Sequence, residues 1–387
     1  MRNFTKIACV VLALVIALST AACSLTPQMC YKSDDLEIPV GVYIYNLYSA
    51  YNQAQNYAQQ SDLYDAEEGT YDGKKSFLKL QITDDDGVTA TADEWIVDTA
   101  TDNTKHTIAT YLAFNDLGCT IDEATLSSYK TQAQEIWDHG YYYQYYGENP
   151  YSEIFEPMGV SFDSFYIATY YTGAMQEAVF DALYGATGVE AVSDDELTAF
   201  FTENYTSYKL FYTDLFTTES RATLDENGEE TTEDVDVALS DEEIEEYTEL
   251  FEQYVKDIKD GDKYDDVLAD YMDEFDIEED PTTANVEILE NSTIGDNIVA
   301  ALEEIGENEA TTFTIGDSDN DQVLYFAYKA PIADEIENYI GDETNRASVL
   351  NEMKSDDLDD YLDAIAESKG ITLSNACKGY QPKMFES

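Results

Sequence analysis

Residues 193–216 read SDDELTAFFTENYTSYKLFYTDLF, and within this stretch the chain changes from helix to strand. Ser193-Asp194-Asp195-Glu196 is a capping box: a serine at the N-cap and a glutamate three residues on satisfy each other's exposed amides, which predicts a short helix to about Asn204. From Tyr208 the residues are strand formers, Lys209-Leu210-Phe211-Tyr212-Thr213-Asp214-Leu215-Phe216. On the N-terminal side the periodicity is helical. Val42, Tyr43, Leu47, Tyr48 and Tyr51 predict a helix over Val40 to Gln59. Trp95, Ile96, Ala100, Ile108, Tyr111, Leu112 and Phe114 predict helix from Ala92 to about Leu117, and a further helix is expected from Ile121 to His139. Ser161 to Tyr184 is strongly amphipathic and stops at Gly185. On the C-terminal side Ser240 caps a helix ended by Gly261, and a shorter one follows around Tyr264 to Met272. Strands are expected over Ala310–Ile315 and Gln322–Tyr328, with a last long helix over Glu343 to Ser368. Residues 60–90 and the acidic stretch Thr217 to Asp236 read as loops. The fold class is therefore α+β and mainly helical.

The first residues, MRNFTKIACVVLALVIALSTAAC, have the form of an export signal. Arg2 and Lys6 supply a positive start, Ile7 to Leu18 is apolar but too short to span a bilayer comfortably, and small residues close on Cys23. A cysteine directly after Ala21-Ala22 is what a bacterial lipobox needs, so residues 1–22 are expected to be removed. Cys23 is then the lipid attachment site on the extracytoplasmic face of a Gram-positive-type cell membrane. Residues 23–38 are polar and read as a tether.

The formal net charge is −63, with 82 Asp and Glu against 19 Lys and Arg. No nucleic acid is expected as a partner, because binding it requires basic side chains to displace counterions. Polybasic attachment to anionic lipid fails for the same reason, which leaves the lipid as the means of staying at a membrane. The chain is nonetheless globular in composition: 44% of it is hydrophobic, and 32 Tyr with 16 Phe supply a large aromatic core. Cys30, Cys119 and Cys377 are too few for a disulfide framework, and although one pair is possible, spacing does not choose it.

Chemical motifs are scarce. Asp317-Ser318-Asp319-Asn320-Asp321 superficially resembles a calcium loop, but Gln322 stands where glycine is needed and Tyr328 where a bidentate glutamate is needed, so a hairpin turn is expected. The two histidines, His106 and His139, form no ligand-spaced pair. Neither a P-loop, a Gly-x-Ser-x-Gly elbow nor a dinucleotide fingerprint occurs, and no cofactor or metal is expected. Most tyrosines read as core. Tyr141, Tyr142, Tyr143, Tyr145 and Tyr146 differ, because consecutive tyrosines cannot all face one core, and they are the candidate contact site for a polypeptide client.

The order of elements resembles the exported peptidyl-prolyl isomerase-type foldases, the PrsA and SurA family. The likeness rests on Gly159-Val160-Ser161 opening one helix, Ser193-Asp194-Asp195-Glu196-Leu197 opening the next, and Phe201-Thr202-Glu203-Asn204-Tyr205 leading into the strand. It continues through Gly306-Glu307-Asn308-Glu309 before the strand pair to the tail Gln381-Pro382-Lys383-Met384-Phe385, and covers most of residues 40–385. It implies a SurA/PrsA-like helical chaperone domain over residues 39–207, an inserted parvulin-like α/β domain over 208–330, and a C-terminal segment, 331–387, returning a helix to the first domain. Active parvulins carry a histidine in the first strand and another in a late strand. Here Thr213 or a neighbour takes the first place, and Gln322-Val323-Leu324-Tyr325-Phe326 has none, so no catalytic residue is carried over and the inserted domain reads as degenerate. The resemblance implies a membrane-anchored foldase or holdase for unfolded or partly folded secreted polypeptides, with weak or no cis-trans isomerase activity. The alternative is a surface lipoprotein that binds a solute or peptide for a transporter.

Overall fold

The computed structural model describes residues 28–34, 36–85, 87–224, 230–318 and 320–386. The expected signal, residues 1–22, and Cys23 lie outside them. The chain is α+β and mainly helical. It forms two compact units, one made of the residues up to Ala191 together with those from Ser355 onward, the other of Val192–Lys354. The segment 208–330 lies within the second.

The first unit begins with a hairpin, β1 (Met29–Lys32) and β2 (Glu37–Pro39), leading directly into helix α1 (Val40–Gln59). The far end of the expected tether is thus ordered, because Cys30 and Ile38 are apolar and find burial. Two small hairpins follow, β3 (Tyr64–Asp65) with β4 (Thr70–Tyr71) and β5 (Gln81–Thr83) with β6 (Thr89–Thr91), in the stretch expected as loop. Then come α2 (Ala92–Leu117), α3 (Glu123–His139), α4 (Tyr143–Tyr146), α5 (Tyr151–Phe155), α6 (Phe162–Tyr166) and α7 (Thr172–Tyr184).

Small buried residues let the long helices approach: Ala50, Ala54 and Ala58 on α1, Ala100, Ala109 and Ala113 on α2. A Cβ on Gly41 would lie 2.7 Å from the Cβ of Ser164, so α1 can meet α6 this closely only with glycine there. Inside, Asn46 donates to the Thr104 hydroxyl at 3.0 Å, and Thr104 donates to the carbonyl of Ala100 at 2.7 Å, so the buried amide and hydroxyl are paired. The single helix expected over Ser161 to Tyr184 is interrupted by a π turn, Ile167–Tyr171. Thr169 donates to the carbonyl of Phe165 at 2.7 Å and Thr172 to that of Ile167 at 2.6 Å, side-chain bonds that widen the turn without ending the helix.

The second unit opens with α8 (Asp194–Asn204), whose capping box forms as expected. Next are β7 (Thr206–Asp214), β8 (Phe216–Leu224), β9 (Glu230–Ala238), α9 (Asp241–Asp260), α10 (Tyr264–Glu274), β10 (Thr283–Glu287), α11 (Asp296–Glu303), β11 (Glu309–Ile315), β12 (Val323–Ala330) and α12 (Ile336–Ile340). The last helix, α13 (Glu343–Ser368), gives its first turns to this unit and the rest to the first. Arg346 on α13 holds Asp194 at the head of α8 through Nε and Nη2, at 3.0 and 2.8 Å.

The central sheet runs β10-β7-β12-β11 with every neighbour antiparallel. Alternation along β7 separates two cores. Phe211 joins Phe326 and Leu324 of β12 and the rings of α9 and α10, Phe251, Tyr254, Tyr264 and Tyr271. Tyr208 and Leu210 face the other way, against Ile298 and Leu302 of α11 and Leu289. Phe211 stacks on Phe326 at 4.5 Å and on Tyr271 at 4.3 Å.

The stretch Thr217 to Asp236, expected as a loop, is a hairpin: β8 and β9 pair from Phe216↔Ala238 to Leu224↔Glu230. It forms a two-stranded sheet of its own, polar on both sides, so no apolar alternation marks it in the sequence. Its support is β-branched residues and cross-strand bonds, Thr218 to Asp236 at 2.7 Å and Ser220 to Asp234. The β11–β12 connection is the expected turn. The Asp321 carboxylate accepts from the Ser318 amide at 2.7 Å, which holds its pKa below the usual carboxylate range.

Candidate functional site: an exposed tyrosine loop

Helix α3 ends at His139, and Gly140 turns the chain with φ of 92°. The loop is closed at its base, where the Asn149 amide donates to the carbonyl of His139 at 2.9 Å. A Cβ on Gly140 would sit 2.4 Å from the Asn149 carbonyl oxygen, so both the φ and the closure require glycine. A second clasp is His139 Nδ1 against Glu148 Oε1 at 3.2 Å, and the half-buried ring of Tyr143 lies 5.1 Å from the His139 ring.

Between these clasps Tyr141, Tyr142 and Tyr145 project outward, with 61%, 60% and 82% of their surface exposed. Tyr141 and Tyr142 meet edge to face at 4.8 Å. Tyr143 and Tyr146 are the first and last residues of α4. Of the expected tyrosines, Tyr141, Tyr142 and Tyr145 thus face outward and Tyr143 is turned toward His139. Beneath them lies a continuous aromatic base. Tyr151 packs on Phe155 at 5.4 Å and on Phe165 at 5.7 Å, and Trp137 stacks with Phe155 at 6.4 Å. Burial raises the pKa of the Tyr151 phenol above its ordinary value, and Tyr48, Tyr141 and Tyr142 nearby add to the shift. Burial and Tyr141 do the same to Tyr170. Beside the loop, α3 carries a polar hollow of about 370 Å³ lined by Lys130, Gln134, Glu135, Asp138 and His139 among others.

Chemically this is a contact surface. Phenol rings offer broad apolar faces and a hydroxyl at the tip. The histidines act as clasps: His106 Nε2 lies 2.8 Å from Asp363, joining α2 to α13, and His139 holds Glu148. In the sheet unit Thr213, which with its neighbours was the expected counterpart of a parvulin histidine, is paired with Leu324 in the β7–β12 register.

No family model matches the chain, and no curated protein matches it. Among solved structures it is similar to the foldase protein PrsA from Streptococcus pneumoniae str. Canada MDR_19A, 11% identical over 77% of this chain and 96% of that one, with a TM-score of 0.30. That score is too low to establish a shared fold.

The sheet unit carries a second aromatic surface that the sequence reading did not single out. Tyr212 of β7, Tyr325 of β12 and Phe313 of β11 form a cross-strand ladder, with ring separations of 5.4 and 5.5 Å, and Tyr212 is 51% exposed. The available signal was alternation: Tyr212 and Tyr325 each neighbour a phenylalanine, Phe211 and Phe326, that faces the opposite core.

Proposed function

We propose that this protein is an extracytoplasmic foldase or holdase, anchored through a lipid on Cys23, that holds unfolded or partly folded secreted polypeptides. The observation that carries the reading is the cluster of three exposed tyrosines, Tyr141, Tyr142 and Tyr145, on a closed loop above an aromatic core. Contiguous exposed apolar surface of this kind marks an interaction site, and aromatic side chains with polar tips suit extended, partly apolar chain. The element order resembling the PrsA and SurA family supports the same reading. Residues 208–330, which lie in the unit Val192–Lys354, are then a degenerate parvulin-like insertion that binds without catalysing, and the charge of −63 keeps client complexes soluble.

The test is suppression of aggregation of a chemically unfolded client, followed by light scattering. The wild-type chain is expected to suppress scattering, and Tyr141→Ser/Tyr142→Ser/Tyr145→Ser to weaken client affinity roughly 10-fold to 100-fold, since each exposed aromatic anchor contributes about 1 kcal/mol. Its thermal melt should stay close to wild type, because exposed side chains contribute little to stability. A wild-type chain without effect on any client, but with tight binding of a defined solute, would replace this reading by the solute-binding one. A proline-limited refolding assay decides catalysis, with rates equal to buffer expected. Cys23→Ala should move the protein from the membrane fraction to the soluble fraction without altering its melt; a variant still in the membrane fraction would refute the anchor.

A further inference from the structure

Cys30 and Cys377, far apart in sequence, meet inside the helical unit. Cys30 lies in β1 and is fully buried; Cys377, in the short 3-10 turn Cys377–Gly379, is 3% exposed. The backbone around them is already joined. The Ser374 amide donates to the carbonyl of Cys30 at 2.8 Å, and its hydroxyl donates to the carbonyl of Met29 at 2.6 Å. The Cys377 amide in turn donates to the carbonyl of Ser374 at 3.2 Å, which turns Cys377 back toward β1. The two buried side chains interact, each shifting the acidity of the other. Both are free thiols here, as is Cys119, which belongs to no such pair and donates to the carbonyl of Ala178 at 3.5 Å.

We propose that Cys30 and Cys377 form a disulfide when the chain meets a disulfide oxidant, tying the first described hairpin of the helical unit to the late turn Cys377–Gly379. The inference does not rest on the chaperone reading.

The pair is chemically asymmetric in the way the reaction needs. The interaction with Cys30 makes Cys377 the more acidic thiol, while the same interaction and burial make Cys30 less acidic. Cys377 thiolate attacks one sulfur of the oxidant, a small-molecule or protein disulfide, and displaces one thiolate. That leaving thiolate takes the proton of Cys30. The Cys30 sulfur then attacks the Cys377 sulfur, breaking the mixed bond and releasing the second thiolate, which is protonated from solvent. Two protein thiols lose two electrons and two protons, and one oxidant disulfide becomes two thiols. Access comes during folding, or by local opening of the short C-terminal tail.

The experiment refolds the reduced, unfolded full chain in a glutathione redox buffer, alkylates the remaining thiols, and maps peptides without reduction. The peptides carrying Cys30 and Cys377 should be joined, the joined species should vanish on reduction, and Cys119 should be alkylated. Reduction should lower the melting temperature of wild type by about 5–10 °C and leave Cys377→Ser unmoved, since the link closes a very long loop. Alkylation of both Cys30 and Cys377 after refolding, a link through Cys119 instead, or an equal shift of wild type and Cys377→Ser on reduction would each overturn the proposal.

Discussion

Phe211→Ala is expected to lower the stability of the sheet unit by about 3–5 kcal/mol, the largest effect of any single truncation we foresee. The ring is fully buried and central. It contacts Phe326 and Tyr271 by stacking, and Phe251, Tyr254 and Tyr264 at 5.7, 6.2 and 6.2 Å. Its loss leaves a cavity walled by five rings, which cannot collapse because two strands and two helices hold them. Denaturant melts read by near-ultraviolet circular dichroism report these tyrosines. Both tryptophans, Trp95 and Trp137, lie in the helical unit, so their fluorescence reports that unit separately. A dichroism midpoint that barely moves would show that Phe211 is not the keystone described. Tyr254→Phe is the matched control in the same cluster. Its hydroxyl is buried with no hydrogen-bond partner among the described residues, so deleting it should be neutral or stabilising by up to about 1 kcal/mol.

The second large effect is on the alkaline side. Burial pushes the phenols of Tyr166, Tyr205, Tyr208 and Tyr271 up to about 12 from the ordinary value of 10.0. A tyrosine is neutral when protonated, so a raised value in the folded state means that folding favours the neutral form. The stability involved is fully present below about pH 10 and is lost as pH rises from there to about 12. The protein should therefore unfold cooperatively in that window, with tyrosinate absorbance and loss of far-ultraviolet dichroism moving together. Smooth titration of the tyrosines near pH 10 with the dichroism intact would contradict the burial of these groups.

The long amphipathic helices were legible: Val40–Gln59 and Glu343–Ser368 lie where helices were expected, because each turn repeats the same apolar face. The strand pair around the Asp321 turn was legible too, since turn chemistry and strand composition agreed. The hairpin over Phe216–Ala238 was not, because neither of its faces is apolar, and polarity without alternation reads as loop. Strand Thr283–Glu287 was missed for a related reason: it lies at the sheet edge and starts with three exposed residues. For the candidate site, adjacency was the signal. Five tyrosines in a run of six announce exposure, whereas the ladder of Tyr212, Tyr325 and Phe313 is assembled from three strands and no local window contains it. The meeting of Cys30 with Cys377 is equally non-local, and spacing rules do not reach that far.

The division of the chain also sets a timetable. The core of the helical unit includes Leu362, Ile371 and Cys377, which come late in the sequence, whereas the sheet unit is complete in sequence by Lys354. A chain emerging N-terminus first can close the sheet unit while the helical one still lacks part of its core. During that interval the first helices stand with their tyrosine-rich faces uncovered, so the protein must itself pass through the condition of the nascent chains it is proposed to hold.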